Sequence, residues 1–134
     1  MCPPPDAFNA RQEAHHDLLD LFTLENLVEL DDGGTGLLSE MIGIFREDTP
    51  RRIRDILEAI AKGDAQELSH AGHALKGGSG ALGASAMRNL AADLEDLGRG
   101  GTVEAEPDLS QRLESLFQAT LTALDAYVAS LQPK

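Results

Sequence analysis

The feature that most constrains this chain is the spacing of its apolar residues, which recur in steps of three and four along four long stretches. This spacing lines one face of a helix, whereas a half-buried strand requires strict alternation. The stretches begin near residues 35, 64, 85 and 108, and the glycine-rich run 98–101 is predicted to end the third of them. We therefore predict an all-α fold, an antiparallel four-helix bundle with an additional short N-terminal helix.

Local signals predict where the individual helices begin and end. Thr23 is the expected N-cap of the short helix, and Thr35 begins the first long one. Pro50 interrupts that helix, but the apolar stripe keeps its phase across it, so a kinked continuation is expected. Gly63 ends the helix, and Asp64 opens a capping box for the next.

Length and composition limit the classes of protein to which the chain can belong. Its 134 residues predict one domain, and the sequence pattern divides the chain into an N-terminal tail or leader helix at 1–22 and a helical bundle domain at 23–134. A net charge of -12 disfavours nucleic acid and anionic membranes as partners. The single cysteine excludes a disulfide framework, and residues 1–6 lack the features of a signal peptide. We expect a cytoplasmic protein.

The chemically informative segment is 70–83, in the second long stretch. On a helical projection Leu75 and Leu82 face the core, and His73 lies on the opposite, solvent-facing side. The residues predicted to share the face of His73 are His70, Lys76, Gly77 and Gly80. Ser79 falls on the far side, where only an orienting or packing role is expected.

Glycine is unusually frequent in this segment, although each interior glycine costs a helix about 0.5–1 kcal/mol relative to alanine. Gly77 lies one turn after His73, where a side chain would cover the imidazole. Its absence, like that at Gly80, gives another molecule access to the ring. Lys76 places a cation beside the imidazole, which suits an anion bound there.

The run from His73 to Ala84, HALKGGSGALGA, resembles the signature of histidine phosphotransfer (HPt) domains of bacterial two-component phosphorelays. The segment 45–50, FREDTP, is similar to one on the family's second helix, and Leu94-Glu95 is similar to its Leu-Glu pair. The resemblance covers about residues 23–131.

The resemblance implies a phosphoprotein that shuttles a phosphoryl group between aspartyl-phosphate receiver domains. His73 is implied as the phosphoacceptor, Lys76 as the residue that neutralises charge, and Gly77 and Gly80 as points of access for the receiver. His70 and Ser79 are possible supporting residues. The implied partners are receiver domains and a hybrid histidine kinase. The chain is implied to be a carrier rather than an enzyme, with no cofactor of its own, and a divalent ion such as Mg²⁺ would come from the receiver.

Two other functions compete with the carrier. One is a non-phosphorylated helical-bundle adaptor that binds and regulates a receiver or histidine kinase. The other is a metal site at His70 and His73, which the absence of an acidic or cysteine ligand on the same turn disfavours. Leu37 and Ile44 lie off the apolar stripe of their helix and are candidates for an exposed patch on which a receiver docks. The basic cluster 51–54 is a candidate for steering a partner.

Overall fold

The computed structural model of the protein describes residues 18–131, and these residues form helices without any strand. This result confirms the predicted all-α bundle with a short N-terminal helix. The helices are α1 (Leu21–Leu30), α2 (Gly36–Lys62), α3 (Ala65–Ala81), α4 (Ser85–Arg99) and α5 (Leu109–Leu131).

The start of α1 differs from the prediction, because Asp20 rather than Thr23 is the N-cap. Asp20 Oδ1 accepts hydrogen bonds from the backbone N–H of Phe22, at 3.1 Å, and of Thr23, at 3.4 Å. Thr23 instead donates its hydroxyl to Asp20 Oδ2 at 2.8 Å. Both residue types are good caps, and the tertiary contact of the Asp20 N–H with the Gly83 carbonyl, at 2.7 Å, favours the earlier start.

That contact ties the segment before α1 to the end of α3. Leu19 is buried in the core, and α1 runs across the predicted boundary between residues 22 and 23. The last residues of the segment 1–22 thus pack on the bundle, whereas the prediction for 1–17 lies outside the described residues. The division into two parts stays a prediction.

The predicted ends of α2 and the start of α3 agree with the structure. Thr35 precedes α2, which continues through Pro50 as one helix of 27 residues. Gly63 ends it in the left-handed conformation, with φ 69°, which glycine adopts without a Cβ penalty. Asp64 then caps α3 by accepting the Glu67 N–H at 3.0 Å.

The core lies where the apolar stripes of the helices meet. The Phe45 ring of α2 packs on the Phe117 ring of α5, with centroids 5.6 Å apart and a tilted geometry typical of aromatic pairs. Leu24 of α1 is completely buried. The largest fully buried apolar side chains of the other helices and the α3–α4 turn are Leu38, Ile56, Leu68, Leu75, Leu82, Met87, Leu113 and Leu124. None of the described helices is long and apolar enough to cross a bilayer.

Helices α3 and α4 pack with unusually close backbones. The helix α4 ends at Arg99, within the run 98–101 that was predicted to end it, and Gly98 lies buried in its last turn. A Cβ on Gly98 would lie 2.5 Å from the Ala65 carbonyl oxygen and 2.5 Å from the Ser69 nitrogen, both in α3. Gly98 is therefore a packing residue at the crossing of these two helices.

Candidate functional site

His73 stands on the exposed face of α3, where the helical projection placed it. Its side chain is 69% exposed. Only one described side chain holds the ring, because His73 Nδ1 lies 2.8 Å from Oε2 of Glu95 on α4. The imidazole is thus accessible on one edge and anchored on the other.

Glu95 is the unusual member of this site, since it is a carboxylate with only 4% of its side chain exposed. Its second oxygen, Oε1, lies 2.6 Å from Lys76 Nζ, and the Arg99 guanidinium lies 3.6 Å from Oε2. The hydrogen bond from Lys76 holds the pKa of Glu95 below its ordinary value of 4.5, against the opposing effect of burial, with a further contribution from His73. Glu95 is therefore an anion at neutral pH.

The charge of Glu95 determines which nitrogen of His73 holds the proton. An ionised carboxylate can only accept hydrogen bonds, so the neutral His73 ring donates through Nδ1–H. The lone pair of the neutral ring is then on Nε2, the nitrogen that Glu95 does not contact. The site therefore presents an oriented nucleophile toward solvent.

The close approach of α4 to α3 is what brings Glu95 to the histidine. Gly72, the neighbour of His73, is buried, and a Cβ there would lie 2.8 Å from the Glu95 nitrogen and 3.1 Å from its Cα. The missing side chain at 72 lets the Glu95 backbone lie against α3. Sequence reasoning attended to the later glycines and missed Gly72, although its place on the buried side of the helical projection was a usable signal.

The glycines singled out from the sequence lie in two different environments. Gly77 is exposed, and a Cβ there would meet no heavy atom within 4 Å. Gly80 is half-buried, and its Cβ would lie 3.3 Å from Cδ of Arg88, whose side chain extends across from α4. The space beside the helix is therefore open at Gly77 and partly filled at Gly80.

The other residues predicted for the site differ in what they contact and in how exposed they are. Lys76 pairs with Oε1 of Glu95 at 2.6 Å, while His73 contacts the other oxygen of the same carboxylate. His70 is exposed and borders the same shallow depression as His73, Glu95 and Arg99. Ser79 is fully buried, as expected for the far side of α3. Within residues 18–131, no three or more His, Cys, Asp or Glu side chains group as metal ligands would.

The fold and the site together define a class: a helical bundle with an exposed histidine anchored by a buried carboxylate. The model of the Hpt domain family matches residues 40–127, which is more than half of the chain, and the chain belongs to this family. Family membership gives it a phosphotransfer role in phosphorelays.

Solved structures agree with this assignment. Histidine-containing phosphotransfer protein B (HptB) of Pseudomonas aeruginosa is 28% identical, with a TM-score of 0.71 over 84% of this chain and 95% of that chain. The histidine-containing phosphotransfer domain of ArcB from Escherichia coli is 19% identical, with a TM-score of 0.69 over 89% of this chain and 99% of that one, and it shows the shared fold. None of the curated proteins matches the chain.

Proposed function

We propose that this protein shuttles a phosphoryl group between aspartyl-phosphate receiver domains through Nε2 of His73. The observation that carries the proposal is the pairing of an exposed imidazole with a buried, ionised Glu95 at 2.8 Å. A histidine with no special role has no need of a buried carboxylate at its inner nitrogen. Because Glu95 occupies Nδ1, Nε2 is the nitrogen left for a partner protein to reach.

The proposed transfer is a single displacement at phosphorus. The Nε2 lone pair forms the N–P bond while the P–O bond to the receiver's aspartate breaks, and its electron pair leaves on the aspartate carboxylate. No proton moves, since Nδ1 keeps its hydrogen. The ring becomes cationic in the product, and Glu95 at Nδ1 stabilises that charge. The reverse displacement passes the group to a second receiver.

Lys76 has two roles in the proposed transfer. It keeps Glu95 ionised through the 2.6 Å hydrogen bond, and its partly exposed ammonium offsets the negative oxygens of a phosphoryl group on His73. Gly77 adds no side chain to the exposed face of α3 that the incoming receiver covers. Gly80 contributes less access than Gly77, because the Arg88 side chain lies over it.

The proposal also specifies where the protein acts, its oligomeric state and its partners. The protein acts as a carrier in the cytoplasm, as a monomer, with receiver domains and a hybrid histidine kinase as partners. The divalent ion that assists transfer is provided by the receiver. These statements rest on family membership and on the positions of the residues around His73.

The experiment is phosphotransfer from a panel of phosphorylated receiver domains to the wild-type protein, His73→Gln and the matched control His70→Gln. We expect an acid-labile, base-stable phosphoryl adduct on the wild type and on the His70 variant, and none on His73→Gln. If receivers bind but no adduct forms, the carrier is excluded and the adaptor function is supported instead.

A further inference from the structure

A cavity of about 180 Å³ opens between α2 and α3, next to the second half of α3. Ile44 lies at its mouth and is exposed, as expected from the sequence, whereas Leu37 is half-buried and does not line the cavity. In an unrelated protein, a cavity of about 150 Å³ lined by Leu, Ile and Phe holds benzene, so the volume here suffices for one six-membered ring. The apolar residues that line the cavity are Met41, Ile44, Phe45, Leu75, Ala81 and Leu82.

The wall of the cavity holds one hydroxyl that has no partner in the part of the chain that the structure describes. Ser79 lines the cavity and is completely buried, and its Oγ makes no hydrogen bond within residues 18–131. By contrast, the buried Thr120 donates its hydroxyl to the Leu116 carbonyl at 2.7 Å. An unpaired buried hydroxyl is costly, and a molecule in the cavity that bonds to Ser79 removes that cost.

Two side chains of opposite charge, Asp48 and Arg52, are half-buried and also line this cavity. Because one is an anion and the other a cation, together they select neither a positive nor a negative molecule. An isolated carboxylate or ammonium that enters an apolar cavity also loses more hydration free energy than a single hydroxyl does. The cavity therefore favours an uncharged molecule.

We propose that this cavity binds a small uncharged molecule of the phenol class, with one aromatic ring and one hydroxyl. The ring contacts the apolar walls, where Phe45 offers an aromatic partner. The hydroxyl forms a hydrogen bond with Ser79 Oγ, which can both donate and accept. His73 does not line the cavity, so this is a binding site separate from the proposed transfer chemistry.

The test is a titration of the full chain with phenol and with toluene, a ring of similar size without the hydroxyl, followed by ¹H–¹⁵N NMR. In the wild type we expect saturable shifts of backbone amides at the cavity, such as those of Phe45 and Ser79. Ser79→Ala removes the hydroxyl without adding volume. In this variant the Kd for phenol is expected to rise about fivefold and the Kd for toluene by less than about twofold.

Two further variants are the controls for this titration. Ser85→Ala is the same substitution at a half-buried serine at the start of α4, outside the cavity, and is expected to leave both Kd values unchanged. Ala81→Leu enlarges an exposed side chain of the lining, so the saturable shifts are expected to be lost with both molecules.

Three results would overturn the proposed binding site. The first is the absence of saturable shifts at the cavity with either molecule, and the second is an equal rise of both Kd values in Ser79→Ala. The third is a rise of the phenol Kd in Ser85→Ala that matches the rise in Ser79→Ala. Phosphotransfer to His73 is measured independently, so failure of this proposal and failure of the proposed function are distinguishable.

Discussion

The two flanks of α3 both carry glycine, and they do so for opposite reasons. On the flank that meets α4, Gly72 is buried, and a Cβ there would collide with the Glu95 backbone at 2.8 Å. On the exposed flank, Gly77 has open space around it. The first glycine allows a close contact inside the molecule, whereas the second makes no such contact and, under the proposed function, leaves room for a receiver. Substitution by alanine distinguishes them, because it harms the folded state at one position and favours it at the other.

The largest effects are expected at the α3–α4 crossing. Gly98→Ala forces backbone atoms of α3 to move and is expected to lower the free energy of unfolding by about 1–3 kcal/mol, as overpacking typically does. Gly72→Ala is expected to fall in the same range of about 1–3 kcal/mol. Urea unfolding followed by circular dichroism measures both.

A second measurement on these two variants tests what Gly72 does for the site. Gly72→Ala displaces Glu95 and is expected to weaken its contact with His73 Nδ1, which ¹⁵N chemical shifts of the imidazole report. Gly98→Ala, at the other end of the crossing, leaves that contact in place. Unchanged imidazole shifts in Gly72→Ala would contradict the role given to this glycine.

The next largest effect is expected when Glu95, which contacts His73 Nδ1, is substituted. Glu95→Gln preserves the shape of the side chain but removes the charge, so the preference for Nδ1–H and the stabilisation of the cationic ring are both reduced. We expect the rate of phosphotransfer to fall by roughly 10- to 100-fold, by analogy with the removal of a carboxylate that orients a metal-ligating histidine. Rapid-quench kinetics with a phosphorylated receiver give the rate, and an unaltered kcat would argue against Glu95 as a positioning residue.

On the exposed flank of α3, substitution of glycine by alanine is expected to raise the free energy of unfolding rather than lower it. Gly77→Ala adds a methyl group in free space within a helix, so the free energy of unfolding is expected to rise by about 0.5–1 kcal/mol. The same methyl group projects from the exposed face of α3 that carries His73, so it is expected to slow transfer from a receiver while leaving loading by phosphoramidate, a small phosphoryl donor, unchanged. Gly80→Ala is the matched control, since its Cβ meets only the flexible Arg88 side chain at 3.3 Å. A loss of stability in Gly77→Ala would remove the contrast between the flanks.

The smallest effect is in the pH dependence of stability. The pKa of Glu95 is lowered by folding, so the unfolded chain binds a proton more readily, and stability rises with pH in this range. The contribution is present above the ordinary value of 4.5 and is lost as the pH falls through the lowered pKa of the folded state. The difference in unfolding free energy between the wild type and Glu95→Gln should therefore shrink on acidification below 4.5, as denaturant titrations at several pH values would reveal. A difference that stays constant down to acid pH would show that ionised Glu95 adds no stability.

The spacing of apolar residues and the local capping signals were sufficient to predict most of the fold. Asp64 and Gly63 act as predicted because a cap depends on residues within one turn of it. Thr23 failed as a cap because Asp20, three residues earlier, also contacts the end of α3 through its backbone. The run 98–101 ends α4 as predicted, but the local pattern did not show that Gly98 also packs against the backbone of α3.

The sequence by itself determined that five amphipathic or capped helices form and that His73 faces solvent, since both follow from periodicity within a single segment. Only the tertiary structure determined which side chain contacts Nδ1 of His73. Glu95 is 22 residues away, and its role depends on how closely two helix backbones approach each other. That distance is determined by packing at Gly72 and Gly98, and packing joins residues that no local pattern connects.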